Sequence, residues 1–201
     1  MLFTKSTLSG VRGSAPDLTF LHSDFCGAKA MVKIMNNPVI KIKVRDFGEM
    51  TAELYPEKAP KTVANFVKLA KEGFFDGLIF HRVISGFMIQ GGGYDENMEE
   101  KETDAIKGEF KANGFMYNDL KHTRGVLSMA RTQDPDSASS QFFVMHEDAP
   151  HLDSQYAGFG KLTDGYDVLD AIASVRTGSY GWYMQDVPKT PVVIETVEVI
   201  E

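Results

Sequence analysis

Only two stretches of this chain carry the three-and-four spacing of an amphipathic helix, and that scarcity bounds the fold. In PEKAPKTVANFVKLAKEG, Val63, Phe66, Val67 and Ala70 recur at i, i+3, i+4 and i+7, with Pro60 suited to the first turn and Gly73 to the stop. In GYDVLDAIASV, Val168, Leu169, Ile172 and Val175 share one face. Elsewhere the apolar residues come in short runs. PVIKIKVR sets Ile42 and Val44 against Lys41, Lys43 and Arg45, and EMTAELY alternates Met50, Ala52 and Leu54 with Thr51 and Glu53. GVLSMAR, SQFFVMH, AGFGKL and the closing PVVIETVEVI read as further strands, and FHRVISGFMIQGGG reads as a hairpin. Many short strands with Gly- and Pro-rich turns and two helices favour an all-β sandwich or barrel over a βαβ fold. Residues 95–118 are polar and irregular, a long loop rather than a linker.

At 201 residues and 43% hydrophobic, the chain can bury one core, which predicts a single domain. The net charge of −7 argues against nucleic acid or an anionic membrane as the main partner. No apolar run reaches membrane-spanning length. A lone cysteine, Cys26, excludes an internal disulfide and points to a reducing, cytoplasmic setting. Residues 1–30 lack any period and read as a flexible extension ahead of a domain over 31–201. Lys5 and Arg12 among Ser and Thr also suggest a transit peptide, a pattern that Asp17 and Asp24 spoil, and Met31 is an alternative start.

Most chemical signals have a plain reading. GGG at 91–93 lacks the Lys-Ser/Thr of a phosphate loop and the spacing of a dinucleotide fingerprint, so a strand-end turn is preferred. HEDAPHLD holds two histidines, but they stand five positions apart with Pro150 between them, which suits a polar loop better than a metal site. DPDS lacks the glycine and glutamate of a calcium loop, and SASS has no nucleophile elbow.

Arg82 resists the plain reading, an exposed strand arginine. A three-residue turn (Ser85, Gly86, Phe87) would set Ile84 opposite Met88 and Arg82 opposite Gln90, on one face. A two-residue turn would oppose Arg82 to Ile89 and put Gln90 on the other face. The first register makes a donor-rich patch beside a hollow lined by sulfur and aromatic groups, with Phe87 at its rim. Such a site suits an amide flanked by a compact apolar ring, as in proline.

FHRVISGFMIQGGG, GVLSMAR, SQFFV and HLDSQYAGFGKL, in this order and spacing, resemble the cyclophilin-type peptidyl-prolyl cis-trans isomerases, and the likeness spans residues 38–201. The resemblance implies a closed eight-stranded antiparallel barrel capped by two α-helices, with an active groove on its outer surface. It also implies an isomerase without metal or cofactor that acts on proline-containing peptides and folding proteins, as a monomer. Arg82 matches the catalytic arginine, and Gln90 the glutamine that supports it. Phe87, Met88, Phe143 and Leu152 match the proline pocket, Gln141 another groove residue, and Ala130 and Arg131 the strand edge that meets the substrate main chain. Arg131 stands where the best-known eukaryotic pattern has asparagine, His151 where it has tryptophan, and Tyr156 where it has histidine. That tryptophan helps to hold the cyclic peptide cyclosporin, so His151 implies weaker inhibition. A proline-directed binding or chaperone module with incidental turnover is the competing reading; intact Arg82 and Gln90 favour the enzyme.

Overall fold

The computed structural model describes residues 37–182 and 184–200. The extension expected over residues 1–30 lies outside the described residues. In chain order the elements are β1 (Val39–Val44), β2 (Gly48–Leu54), α1 (Pro60–Lys71), β3 (Arg82–Ile84), β4 (Met88–Gly91) and β5 (Val126–Met129). They continue as β6 (Phe142–Met145), β7 (Gly158–Asp164), α2 (Tyr166–Ala173), β8 (Thr177–Tyr180), β9 (Met184–Pro188) and β10 (Ile194–Ile200). Eight strands form one antiparallel sheet in the order β10-β1-β2-β7-β5-β6-β4-β3, while β8 and β9 pair as a separate hairpin.

Both helices form where their spacing predicts. Helix α1 opens at Pro60 and buries Thr62, Val63, Phe66, Leu69 and Ala70, packing against β10. Helix α2 buries Val168, Leu169, Ile172 and Ala173 and packs against β2. Phe66 reaches the centre of the core, where its ring lies 4.9 Å from Phe75, 5.2 Å from Phe142 and 5.1 Å from Phe159.

The expected closed barrel is not what forms. The sheet is an open, strongly curled half-barrel whose edge strands stand 13 Å apart. Closure needs two edges of matched length and stagger to exchange ladder hydrogen bonds, and β3 has only three residues. Irregular chain crosses the seam instead. Phe80 N–H donates to Val192 O (2.9 Å), Ile194 N–H donates to Leu78 O (2.7 Å), and Ile79 bridges Val193. These contacts, with β9 lying against β3, cover edges that would otherwise expose unpaired backbone.

The two-sidedness of the sheet positions the groove. All four residues of β6 are buried, yet they serve two clusters. Phe142 and Val144 join the main core between sheet and helices, while Phe143 and Met145 join a smaller cluster with Met88, Val126, Ala149 and Leu152 on the outer face. Strand β4 divides likewise, Ile89 inward and Met88 outward. A run such as FFVM is therefore apolar throughout because both faces are covered.

Candidate active groove

The β3–β4 hairpin has the three-residue turn: Arg82 pairs with Gln90, Val83 with Ile89 and Ile84 with Met88. Phe87 N–H donates to Ile84 O (3.1 Å), and Gly86 sits at φ 77°, a turn position that glycine occupies without strain. Arg82, Met88 and Gln90 consequently share the outer face. They meet side chains from the segment just after β5, from β6 and from the loop after β6 around a hollow of about 240 Å³, lined by Arg82, Phe87, Met88, Gln90, Ala130, Arg131, Phe143, Leu152 and Tyr156.

Nine of the eleven residues singled out from the sequence thus line one hollow. Gln141 and His151 sit beside it. Gln141 lines an adjoining hollow of about 210 Å³ together with Gln90, Ala130 and Arg131. A side chain on Gly93 would come within 2.5 Å of Gln141, so the last glycine of GGG leaves room for that amide. His151 is exposed and stacks on Phe87, centroids 5.8 Å apart. The two histidines of HEDAPHLD go separate ways, since His146 contacts Gly86 and Asp170.

Phe143 forms the floor, 5% exposed, held edge-on by Tyr156 at 5.9 Å and stacked on His122 at 6.2 Å. Arg131 braces the wall. Its guanidinium lies 4.6 Å from the Tyr156 ring and 5.1 Å from Phe110, and it donates to Gln155 O and Thr132 O. Arg82 is half-exposed and paired with Asp186 of β9, Nε to Oδ2 3.8 Å. Gln90 Nε2–H donates to Gln141 Oε1 (3.1 Å), and Gln141 Nε2–H to Glu100 (3.4 Å). In this arrangement Asp186 pairs with the guanidinium, and Gln90 is oriented by its amide neighbour.

Sequence reading missed Asp186 and the polar trio beneath Phe143. His122 Nδ1–H donates to Asp153 (3.2 Å), and Ser128 Oγ–H donates to His122 Nε2 (3.0 Å). The order Asp–His–Ser looks like an acyl-transfer relay, but Ser128 is fully buried, so no substrate carbonyl can reach its hydroxyl. Burial lowers the His122 pKa, opposed by Asp153, and keeps the imidazole neutral. Its place beneath the floor makes the trio a support for Phe143. The one sequence signal for Asp186 was its position in the QDVP stretch, which carries no motif.

A cation beside a compact apolar hollow, on the outer face of a curled antiparallel sheet, defines a site for a small ring next to an amide. The family model described as "Cyclophilin type peptidyl-prolyl cis-trans isomerase/CLD" matches residues 39–199. A peptidyl-prolyl cis-trans isomerase of Acinetobacter baylyi is 47% identical over 169 residues, covering 81% of this chain and 86% of that protein. Peptidyl-prolyl cis-trans isomerase B of Escherichia coli is also 47% identical, over 163 residues, covering 77% and 95%. A Cryptosporidium parvum cyclophilin-type isomerase, solved in the presence of the dipeptide Ala-Pro, superposes with a TM-score of 0.67 at 28% identity, covering 81% and 99%. The chain belongs to the cyclophilin-type peptidyl-prolyl cis-trans isomerases. It is an enzyme, and it accelerates rotation about X-Pro peptide bonds in proline-containing substrates.

Proposed function

We propose that rotation takes place in this groove, with Arg82 as the catalytic group and the Phe143 hollow as the seat of the proline ring. The observation that carries this reading is the pairing of Arg82 with Gln90 on the face that also presents Met88 and Phe143. Isomerisation breaks no covalent bond and needs no acid, base or cofactor. It must weaken amide resonance while the bond turns. In the twisted state the prolyl nitrogen becomes pyramidal and gains a usable lone pair. A guanidinium aimed at that nitrogen donates to it only then, which favours the transition state over either ground state. Uncatalysed exchange takes roughly 10–100 s. Reaching about 10³ per second requires lowering the barrier by about 6 kcal/mol. One charge-assisted hydrogen bond in a partly dry hollow, with the ring held still, supports much of that. Gln90, Gln141 and the Ala130–Arg131 edge would receive the substrate main chain, and His151 and Tyr156 its flanking side chains.

The substrates in this reading are prolines in unfolded or folding chains, met by a monomer in the cytoplasm. The outer, open groove supports this, since an extended segment can enter without threading. Among the described residues no helix is long and apolar enough to cross a membrane. The decisive experiment is Arg82→Ala in a coupled peptide isomerisation assay. It should cut kcat/KM at least about a hundredfold while circular dichroism stays that of the parent. An unchanged rate sinks the assignment.

A further inference from the structure

We propose that His146 is a positioning residue for this groove: its imidazole, oriented by Asp170, accepts a hydrogen bond from Gly86 and so holds the turn that carries Phe87. The inference rests on the groove reading above and adds a residue weighed in the sequence only as a candidate metal ligand.

The hairpin closes the turn through Phe87 N–H to Ile84 O, and Glu147 N–H donates to Phe87 O at 3.3 Å, but neither bond holds Gly86. Ser85 and Gly86 are exposed, and the positive φ of Gly86 turns its N–H away from the β3–β4 ladder. That N–H meets His146 Nδ1 at 2.9 Å. A backbone amide can only donate, so Nδ1 must be the unprotonated nitrogen and Nε2 carries the hydrogen. Nε2 in turn lies 3.1 Å from Asp170 Oδ1 on α2, which can only accept. Arg124 locks the carboxylate from the other side, Nη2 to Oδ1 2.7 Å, and its Nη1 donates to His146 O at 2.9 Å. The ring cannot flip without losing both bonds. The same residue clamps the turn's far end, because His146 N–H donates to Phe87 O at 2.9 Å. Backbone and side chain of His146 thus grip Gly86 and Phe87 together, and Phe87 lines the hollow. A carboxylate that fixes the tautomer of an imidazole whose other nitrogen does the work is a recognised orienting device.

The arrangement tolerates only the neutral ring. An imidazolium has N–H at both nitrogens and no acceptor, so Nδ1–H would face the Gly86 N–H head on. The charges around His146 are Asp170 from α2, Arg124 from the segment before β5, and Glu147 and Asp148 after β6.

Two variants test this in the full chain with a coupled peptide assay. His146→Leu removes the acceptor and keeps the backbone bonds, so KM should rise threefold to tenfold with kcat within twofold, as Phe87 loosens. His146→Asn puts Oδ1 close to the Nδ1 position and should restore KM to within twofold. Gly86 amide exchange should be slowed in wild type and His146→Asn and fast in His146→Leu. Wild-type KM in His146→Leu or an unprotected Gly86 in the parent would overturn the proposal. Should His146→Leu fail to fold, Gly86 exchange in the parent and in His146→Asn still decides. Arg82→Ala run alongside separates the failures: full activity there refutes the groove, whereas Gly86 protection reports on the turn regardless.

Discussion

Asp186 holds a left-handed backbone conformation, φ 61°, that a non-glycine residue adopts at some cost, and it places a carboxylate 3.8 Å from Arg82 Nε. Both partners are exposed by about two-fifths, so the pair is screened and worth about 0–1 kcal/mol, equivalent to at most about fivefold in rate. Asp186→Ala should therefore lower kcat by about twofold to fivefold, and wild type assayed in high salt should move toward the variant. Wild-type kcat in the variant at low salt would mean that the pair does not aim the guanidinium. His151 offers a second test at this scale. Its exposed imidazole stacks on Phe87 and has a smaller apolar area than indole and a higher desolvation cost. Turnover of short proline peptides should persist while cyclosporin inhibits weakly, and His151→Trp should tighten inhibition by about tenfold, or about 1.4 kcal/mol. Titrating both proteins with the drug checks this; no tightening in the variant would remove His151 as the determinant.

At the scale of elements, what could be read from the sequence depended on how regularly each segment was buried. Helix α1 showed its face because one side is core and the other solvent. The Arg82–Gln90 pairing could be posed as one of two registers because Ser-Gly-Phe allows a three-residue turn, and the structure has that register. The β8–β9 hairpin left no trace: Thr177–Tyr180 buries no residue fully, and a bulge between Gly178 and Tyr180 breaks its alternation. Asp186 was hidden with it. So was the Gln90–Gln141 bond, which joins β4 to the residue just before β6, far away in the chain. Strand β6 was read as a strand, but its division between two cores becomes visible only in three dimensions, and it makes Phe143 both structural and functional. Phe143→Ala should cost about 3–5 kcal/mol of stability through the cavity it leaves. It should also raise KM for proline peptides, with the assay run cold to keep the variant folded. A stability loss with unchanged KM would show that the ring seat lies elsewhere in the hollow.

For the whole molecule, the eight strands of the main sheet were legible but its failure to close was not, because closure turns on the length and stagger of two edges brought near each other only in the folded state. The seam matters for acid stability, since His81 lies beside it between Phe80, which crosses to Val192, and Arg82. His81 is 3% exposed, packs against Tyr94 at 4.8 Å, and its Nδ1 has no hydrogen-bond partner among the described residues. Burial, reinforced by the neighbouring Arg82 charge, lowers its pKa from 6.5 to about 4. In the unfolded chain the imidazole takes a proton near its ordinary pKa, so between pH 6.5 and about 4 the unfolded state binds more protons. Stability must then fall as pH drops through that window. His122, lowered in the same direction, adds to the fall. From pH 6.5 to 5 His81 alone contributes a loss on the order of 2 kcal/mol. The carboxylates held low, Asp95, Asp119, Asp136, Asp153 and Asp170, act in the same direction but mostly below their ordinary 3.8, so pH 5 separates the two groups. Urea unfolding at pH 7 and pH 5 should show the wild type losing clearly more stability than His81→Phe, which removes both the titration and the unpartnered nitrogen. Equal losses in the two proteins would mean that His81 is not the group through which acid opens this fold.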